Sequence, residues 1–480
     1  MPLILPGNVA SATASTAYSV ANSCRFTSGA SMEKAFGTPT NLDKWTFSCW
    51  LKRGNIGAYH EIFSGFTSGT HYTHIEITDG DKLEFGNRAG GGAGGHLGRL
   101  ITNRLFRDVA AWYNIVCVWD SDNATAGNRM RVYINGVEET SFSTEVDATS
   151  GELCHLASGD DCVIGLHGTS YLLEGYLAEV VLIDGQALTP TSFGEFDSDS
   201  PTIWKPIDVS GLTFGDNGFW LDFEDSSALG NDVSGNNNDW TVNNIDAADQ
   251  ATDTPTNNFC TMNPLDNYFA ASTFSEGNCK IVTTASKYTF NTGTFGLTAG
   301  KWYFEVKNSV SSDGNKNLIG ISAVPSDAAT NYLGEDAYMW GYYGNNGNMI
   351  TGASSSSYGT AYANNDIVGV FIDLDNNKLY TADNGTINNS GTGVSLTAVA
   401  STTSGVYFPA LGDYASGGTA GEFEVNFGGC PAYTISSAVA DANGYGAFEY
   451  DPSDGGSSSF DSAAKDFLAI CTKNLGSDGG

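Results

Sequence analysis

The sequence predicts an all-β protein, on three observations. Residues 130–139, MRVYINGVEE, put Met130, Val132 and Ile134 on one face of an extended chain and Arg131 and Tyr133 on the other, then turn at Asn135-Gly136. Period-two alternation ending in Asn-Gly is the strongest short-range hairpin signal a sequence offers. Residues 378–387, KLYTADNGTI, repeat the pattern, with Leu379 and Tyr380 in a strand and Asn384-Gly385 at the turn. Composition agrees: 59 glycines but only 12 prolines, with Asn, Ser, Thr and Asp crowding the gaps between apolar runs, fit many short strands joined by tight turns. At 480 residues and 41% hydrophobic, the chain buries more than one core, and its length suggests two to three domains.

After an N-terminal segment, 1–16, strand candidates succeed one another over 17–205. WTFSCWLKR alternates Trp45, Phe47, Cys49 and Leu51 against Thr46, Ser48 and Lys52, whereas NIVCVWD is apolar on both faces, as an interior strand is; GYLAEVVLIDG closes the series. This spacing, without helical patterns between, predicts a two-sheet sandwich. The stretches FSCWLKR, DGDKLEF, AWYNIVCVWDSDNATAGNRMRVYINGVEE and IGLHGTSYLLEGYLAEVVLIDGQAL resemble, in order and spacing, the laminin G-like or pentraxin-like modules of the concanavalin fold. The resemblance implies a jelly roll of two antiparallel sheets.

Residues 206–269 read as a connecting segment packed on a surface. Within it NGFWLDFEDSSALGNDVSGNNNDWTVNNI resembles the opening strand of a laminin G-like module, and a polar, proline-marked stretch follows. Over 270–435 the signature changes. Trp302, Phe304 and Val306 alternate with Tyr303, Glu305 and Lys307, and Phe423, Val425 and Phe427 with Glu422, Glu424 and Asn426. GKWYFEVKNS, NLIGISAV, NNDIVGVFIDLDNNKLYTADNGT and GEFEVNFGG resemble a SPRY domain. That is also a concanavalin-type fold, so the implied architecture is two tandem concanavalin-like jelly-roll β-sandwiches. In the tail, 436–480, Ala464, Phe467, Leu468, Cys471 and Leu475 follow Asp461 at helical spacing with Gly476 beyond, which predicts a short C-terminal helix over 461–475.

Charge and cysteine usage bound the partners. With 54 acidic against 21 basic residues, net −33, the surface repels phosphate backbones, which excludes nucleic acid as a partner. Nine cysteines are an odd number without CxxC spacing, several of them inside apolar strands, and read as small buried hydrophobes made in a reducing compartment. The start MPLILPGNVASATA lacks a basic region and is broken by Pro6, so neither a signal peptide nor membrane insertion is expected. No run approaches the roughly 20 apolar residues a bilayer span requires.

The segments MPLILPGNVASATA, FGEFDSDSPTIWKP, TDTPTNNFCTMNPLDNY and GYGAFEYDP with FLAICTKNL together resemble tail-fibre and other structural proteins of aquatic tailed bacteriophages. This implies a virion location after assembly in host cytoplasm. It also implies a non-enzymatic tail-fibre or surface adhesin that binds host-surface glycans and neighbouring virion proteins, or else a decoration or connector protein without a host ligand. A homo-oligomer, a trimer as in the fibres it resembles, is expected through Leu3-Ile4-Leu5 or the C-terminal helix, apolar segments too small to bury themselves.

Catalytic patterns are weak. A polysaccharide-degrading enzyme, the third reading, needs two carboxylates across a sugar; LDFED at 221–225, EFDSD at 195–199 and the pair Glu422 and Glu424 do not supply the arrangement. Ser31 to Lys34 spell S-x-x-K, but in a strand context that cannot run that chemistry. His71 and His74, three apart on a strand, point to opposite faces, and the six histidines read as surface or loop residues. Calcium is the one cofactor considered: Asp232, Asn236, Asn238 and Asp239 place four oxygen-bearing side chains around Gly235, though the same residues fit an Asx-rich turn that satisfies its own backbone. For ligand contact, Tyr338, Trp340, Tyr342 and Tyr343 beside flexible glycines suit stacking on sugar rings, while alternation also lets half of them be core.

Overall fold

The computed structural model describes residues 18–478 apart from 28, 69, 91–94, 157–160, 168–170, 268–269, 326–331, 416 and 454–465. The N-terminal segment with Leu3-Ile4-Leu5, and Asp461 and Ala464 of the expected helix, lie outside the described residues. The chain forms two compact units, divided at Thr256 and Asn257 except that Asp108–Ala110 belong with the second.

The first unit is a sandwich of two antiparallel sheets. One orders Val137–Glu138, Met130–Ile134, Trp112–Asp120, Lys44–Arg53, Gly175–Asp184, Ser23–Phe26 and Gln250–Ala251, with Phe219–Leu221 also on Gly175–Asp184. The other orders Phe142–Val146, His96–Thr102, Leu83–Ala89, His71–Ile77, His60–Ser68, Asp161–Ile164, Ser31–Ala35 and Thr241–Asn243. Trp45, Phe47, Cys49 and Leu51 point inward against Phe63, Ile75 and Phe85, as alternation requires. The two-sided apolarity of NIVCVWD has a direct cause. Ile115, Cys117 and Trp119 enter this core, while Val116 and Val118 face a second cluster with Phe193, Val209 and Phe214. On that covered face Lys52 is buried, its Nζ 2.5 Å from Asp253 Oδ2.

Residues 206–256 are therefore sandwich rather than connection. Phe219–Leu221, Thr241–Asn243 and Gln250–Ala251 each add a two- or three-residue strand to one of the sheets. Strands this short carry no readable period, and only their pairing partners define them.

In the second unit one sheet orders Thr273–Ser275, Lys280–Val282, Glu422–Asn426, Lys301–Val310, Ile367–Asp373, Lys378–Asp383 and Thr386–Ile387. The facing sheet orders Thr289–Thr292, Phe408–Asp413, Asn317–Ser322, Met339–Tyr343, Asn348–Thr351 and Ser354–Ser357. Trp302, Phe304, Val306, Phe423, Val425 and Phe427 pack against Ile319, Ile321 and Leu411 between them. Tyr303 and Glu305, on the opposite face, are buried as well, Tyr303 in a smaller cluster with Phe371, Phe448 and Phe467.

The tail corrects one expectation. Leu468–Ala469 is a strand, parallel to Trp302 and Tyr303, and the helix is confined to Thr472–Asp478. Leu468 and Ile470 enter one apolar cluster, Phe467, Ala469 and Cys471 another. A two-sided strand produces an apolar run whose members also fall at helical spacings, an ambiguity that periodicity alone does not resolve.

The two Asn-Gly hairpins are built alike. Asn135 and Gly136 have φ of 48° and 78°, Asn384 and Gly385 of 48° and 76°, the double left-handed geometry of a type I′ turn. Each Asn Oδ1 accepts the N–H of the neighbouring strand, from Asn114 at 2.8 Å and from Ile367 at 2.9 Å. All nine cysteines are buried. Among the described residues no helix is long and apolar enough to cross a membrane.

Candidate functional site

The Asx-rich turn closes on itself. Asp232 Oδ1 accepts the N–H groups of Trp220 and Ser234, and Oδ2 accepts Ser234 Oγ and the N–H of Asn238, at 2.8–2.9 Å. Asp239 Oδ1 accepts the Asp232 N–H at 3.0 Å, and the side-chain amides of Asn236 and Asn238 both donate to the Gly218 carbonyl. Both Asp232 oxygens and Asp239 Oδ1 thus serve the protein's own donors, while Asn236 and Asn238 act here through their amide N–H groups.

The aromatic stretch does not form an exposed platform. Met339–Tyr343 is a strand of the second unit, with Trp340 and Tyr342 in the core and Tyr338 packed half-buried against it. Tyr343 packs on the opposite face, its ring 6.0 Å from that of Tyr414. Both faces of the sheet are covered, so alternation sends every one of these rings into packing. One of them nevertheless reaches a site. The Tyr342 hydroxyl sits beneath a surface pocket of about 390 Å³ lined by 358–360, Asp383 and 386–390. That volume lies within the range of small-molecule sites.

The pocket is lined by residues that directly follow the edge strand Ser354–Ser357 and by the edge strand Thr386–Ile387, beside the Asn384-Gly385 turn. Asp383 Oδ2 accepts the Tyr342 hydroxyl at 2.7 Å and Thr360 Oγ1 at 3.0 Å, whereas Oδ1 is buried and accepts no hydrogen bond among the described residues. Burial pushes the Asp383 carboxyl above the usual range, against the pull of the Tyr342 and Thr360 hydrogen bonds. Asn388 Nδ2 donates to Tyr342 Oη at 3.1 Å and to Thr381 Oγ1 at 3.0 Å, which fixes the amide at the wall. Asn389 and Ser390 both hold φ of 51°, a left-handed pair costing on the order of 1 kcal/mol or more each, of the kind concentrated at functional sites. Gly359 leaves the opening: a Cβ there would lie 2.7 Å from both the Asn388 side chain and Tyr342 Oη.

The lining thus offers one carboxylate, the exposed hydroxyls of Thr360, Thr386 and Ser390, and side-chain amides, beside the ring of Tyr358. This is the equipment for hydrogen-bonding a neutral polyhydroxyl ligand. With a single carboxylate in the lining, it lacks the paired acids of glycoside hydrolysis. Asp383, Thr360 and Asn388 are not singled out by the sequence, although Asp383 immediately precedes the hairpin turn that the sequence does mark.

Elsewhere Glu422 and Glu424 pair with Lys280 at 2.8 Å and Lys307 at 2.9 Å, and Ser31 to Lys34 lie in the strand Ser31–Ala35. The histidine expectation needs correction: His60 and His74 are buried, His74 within hydrogen-bond distance of Glu84 at 3.2 Å. For His74 the neighbouring strand supplies the Glu84 carboxylate beside the ring, whereas His60 Nδ1 is buried without a hydrogen-bond partner among the described residues.

Two family models match the chain. The concanavalin A-like lectin/glucanases superfamily, in its laminin G-like form, matches residues 27–192, and the SPRY domain matches residues 301–425. Lectin-like and SPRY folds support a binding role. Among solved structures the chain is similar to the SPRY domain of human HERC1, at 14% identity over 36% of this chain and 99% of that one, with a TM-score of 0.29. It is also similar to a putative carbohydrate binding protein from Bacteroides ovatus, at 15% identity over 48% of this chain and 59% of that one, with a TM-score of 0.32. A third is the heptameric SAP-like pentraxin from Limulus polyphemus, at 18% identity over 36% of this chain and 80% of that one, TM-score 0.27. No curated protein matches the chain.

Proposed function

We propose, for a chain that carries a laminin G-like module followed by a SPRY domain, a non-enzymatic adhesin that holds a neutral saccharide in the Asp383 pocket. The observation that carries this reading is the pocket's lining of exposed hydroxyls and side-chain amides around Asp383, whose Oδ2 is held from beneath by Tyr342. The finer assignment is a tail-fibre or surface component of a tailed-bacteriophage virion that also contacts neighbouring virion proteins. It is supported by the resemblance of the terminal and connecting segments. A trimer would present three pockets together and multiply weak contacts into avidity.

A glycan array probed with the full chain and with Asp383→Asn tests the pocket. Neutral glycans bound by the wild type and at least tenfold weaker with the variant are expected. No bound glycan, or binding that Asp383→Asn leaves unchanged, would return the chain to a connector role. Mass spectrometry of purified particles tests the virion assignment, and light scattering tests the trimer.

A further inference from the structure

The first unit holds a second chemical cluster, on the face of its sheet turned away from the apolar core. His60–Ser68, His71–Ile77 and Leu83–Ala89 run side by side in a register that aligns Glu61 with Glu76 and Glu76 with Glu84. All three glutamates are buried. Carboxylates in direct cross-strand register repel one another, so a row of three inside a protein calls for positive charge or for protonation of some of its members.

Two of them differ in how that charge is supplied. Glu84 is held by Arg99, Nε to Oε1 at 2.5 Å and Nη2 to Oε2 at 2.9 Å, and by His74 Nε2 at 3.2 Å. Glu61 is fully buried, yet among the described residues neither of its oxygens accepts a hydrogen bond. His167 Nδ1 lies 3.4 Å from Oε2 and is likewise without a hydrogen bond among the described residues. His167 comes from the hairpin of Leu166–His167 and Tyr171–Leu172, and its ring is fixed by Phe66, Tyr72 and Tyr171 at centroid distances of 6.0, 5.1 and 5.7 Å. Ligand atoms of Glu61, His74 and His167 all lie within 4.8 Å of one another.

We propose that Glu61, His74 and His167 bind a divalent first-row transition ion, Zn²⁺ by preference, that fastens the paired strands Leu166–His167 and Tyr171–Leu172 to the sheet. Two imidazoles and one carboxylate are a zinc donor set, and their nitrogens argue against calcium or magnesium, which take oxygen ligands. Ligands of a tetrahedral zinc at about 2.1 Å stand roughly 3.4 Å apart, which is the His167 to Glu61 separation. The alternative triple of His74, Glu76 and Glu84 is poorer, because Arg99 already engages both Glu84 oxygens. In the proposed site that same pair becomes support: a metal-ligating histidine ordinarily donates its other ring N–H to a carboxylate, as His74 does to Glu84. Gly86 makes room for it, since a Cβ there would lie 2.3 Å from His74 Nε2.

The test uses the full, tag-free chain stripped with chelator, then titrated with Zn²⁺ and separately with Co²⁺. Expected are one retained zinc per chain, a zinc-dependent rise in melting temperature and visible d–d absorption with cobalt. Glu61→Gln and His167→Asn should each weaken zinc at least tenfold, Glu84→Gln by about 10- to 100-fold through His74, and His71→Ala, an exposed histidine outside the site, not at all. If the variants fail to fold, the wild-type zinc stoichiometry and cobalt spectrum decide. No retained zinc in the wild type, undiminished binding in the Glu61→Gln, His167→Asn double variant, or zinc lost with His71→Ala instead would overturn the site.

Discussion

Glu305→Gln tests how the second unit secures residues 433–450. Glu305 is fully buried and its carboxylate accepts five hydrogen bonds: Tyr303 Oη at 2.9 Å and Tyr450 N–H at 2.8 Å on Oε1, and Asn426 Nδ2 at 3.1 Å, Tyr433 Oη at 2.8 Å and Glu449 N–H at 3.0 Å on Oε2. Burial pushes this carboxyl's pKa up, and those hydrogen bonds pull it back. Five donors converging on it fit the ionised form. A glutamine keeps the shape but replaces one oxygen with a donor. Placed at Oε1, the new amide confronts the Tyr450 N–H, although the Tyr303 hydroxyl can reverse; placed at Oε2, it confronts the Glu449 N–H and the Asn426 amide. Either way a backbone N–H loses its acceptor, at about 1–3 kcal/mol, and the remaining bonds lose charge assistance, partly offset by relief of a buried charge. The expected net cost is about 2–4 kcal/mol. Hydrogen exchange of the full chain reads it locally: protection at the Glu449 and Tyr450 amides should fall roughly 30- to 1,000-fold. Urea unfolding followed by tryptophan fluorescence gives the global counterpart. Unchanged exchange at both amides with a loss under about 0.5 kcal/mol would refute the cage as a determinant of stability.

Other outcomes follow from the same contacts. Glu179 is buried and its carboxyl is pushed up to about 8 by burial, against hydrogen bonds from Trp220 and Tyr18. The folded state therefore keeps a proton that the unfolded chain releases above about pH 4.5, so this group's contribution is complete below that pH and lost progressively towards pH 8, by at most about 5 kcal/mol. Glu179→Gln should thus melt higher than wild type at pH 8.5 but not at pH 5, and parallel pH profiles would contradict the assignment. Lys52→Met removes the cation 2.5 Å from buried Asp253 and should destabilise by about 3–5 kcal/mol in urea titrations; a loss under 1 kcal/mol would mean the pair is dispensable. Asp232→Ala deletes the acceptor of four hydrogen bonds and should lower the melting temperature with chelator as well as with calcium. A loss seen only when calcium is present would restore the ion-binding reading of that turn. Far-ultraviolet circular dichroism should show helix far below the roughly one-third of ordinary globular proteins.

The amino-acid order by itself determined the β class, both Asn-Gly turns and the inward faces of the long strands. Alternation at Trp45 to Leu51 and at Trp302 to Val306 is local, and a type I′ turn is specified by the two residues that occupy it. What escaped it depends on partners distant in the chain. Phe219–Leu221 and Gln250–Ala251 are strands only because Gly175–Asp184 and Ser23–Phe26 pair with them, and 467–471 is extended only because both its faces are covered. The same holds for the sites. Tyr342, which the sequence left open between a ligand-stacking ring and ordinary core, became a buried ring whose hydroxyl lies beneath Asp383, 41 positions away in the chain. Glu61, His74 and His167 carry no spacing motif, yet sheet register and one hairpin bring their ligand atoms within 4.8 Å. Local backbone preference is written residue by residue, whereas burial and the convergence of side chains are properties of the packed sheets, so only the tertiary structure decided which polar groups would meet and which aromatic rings would be hidden.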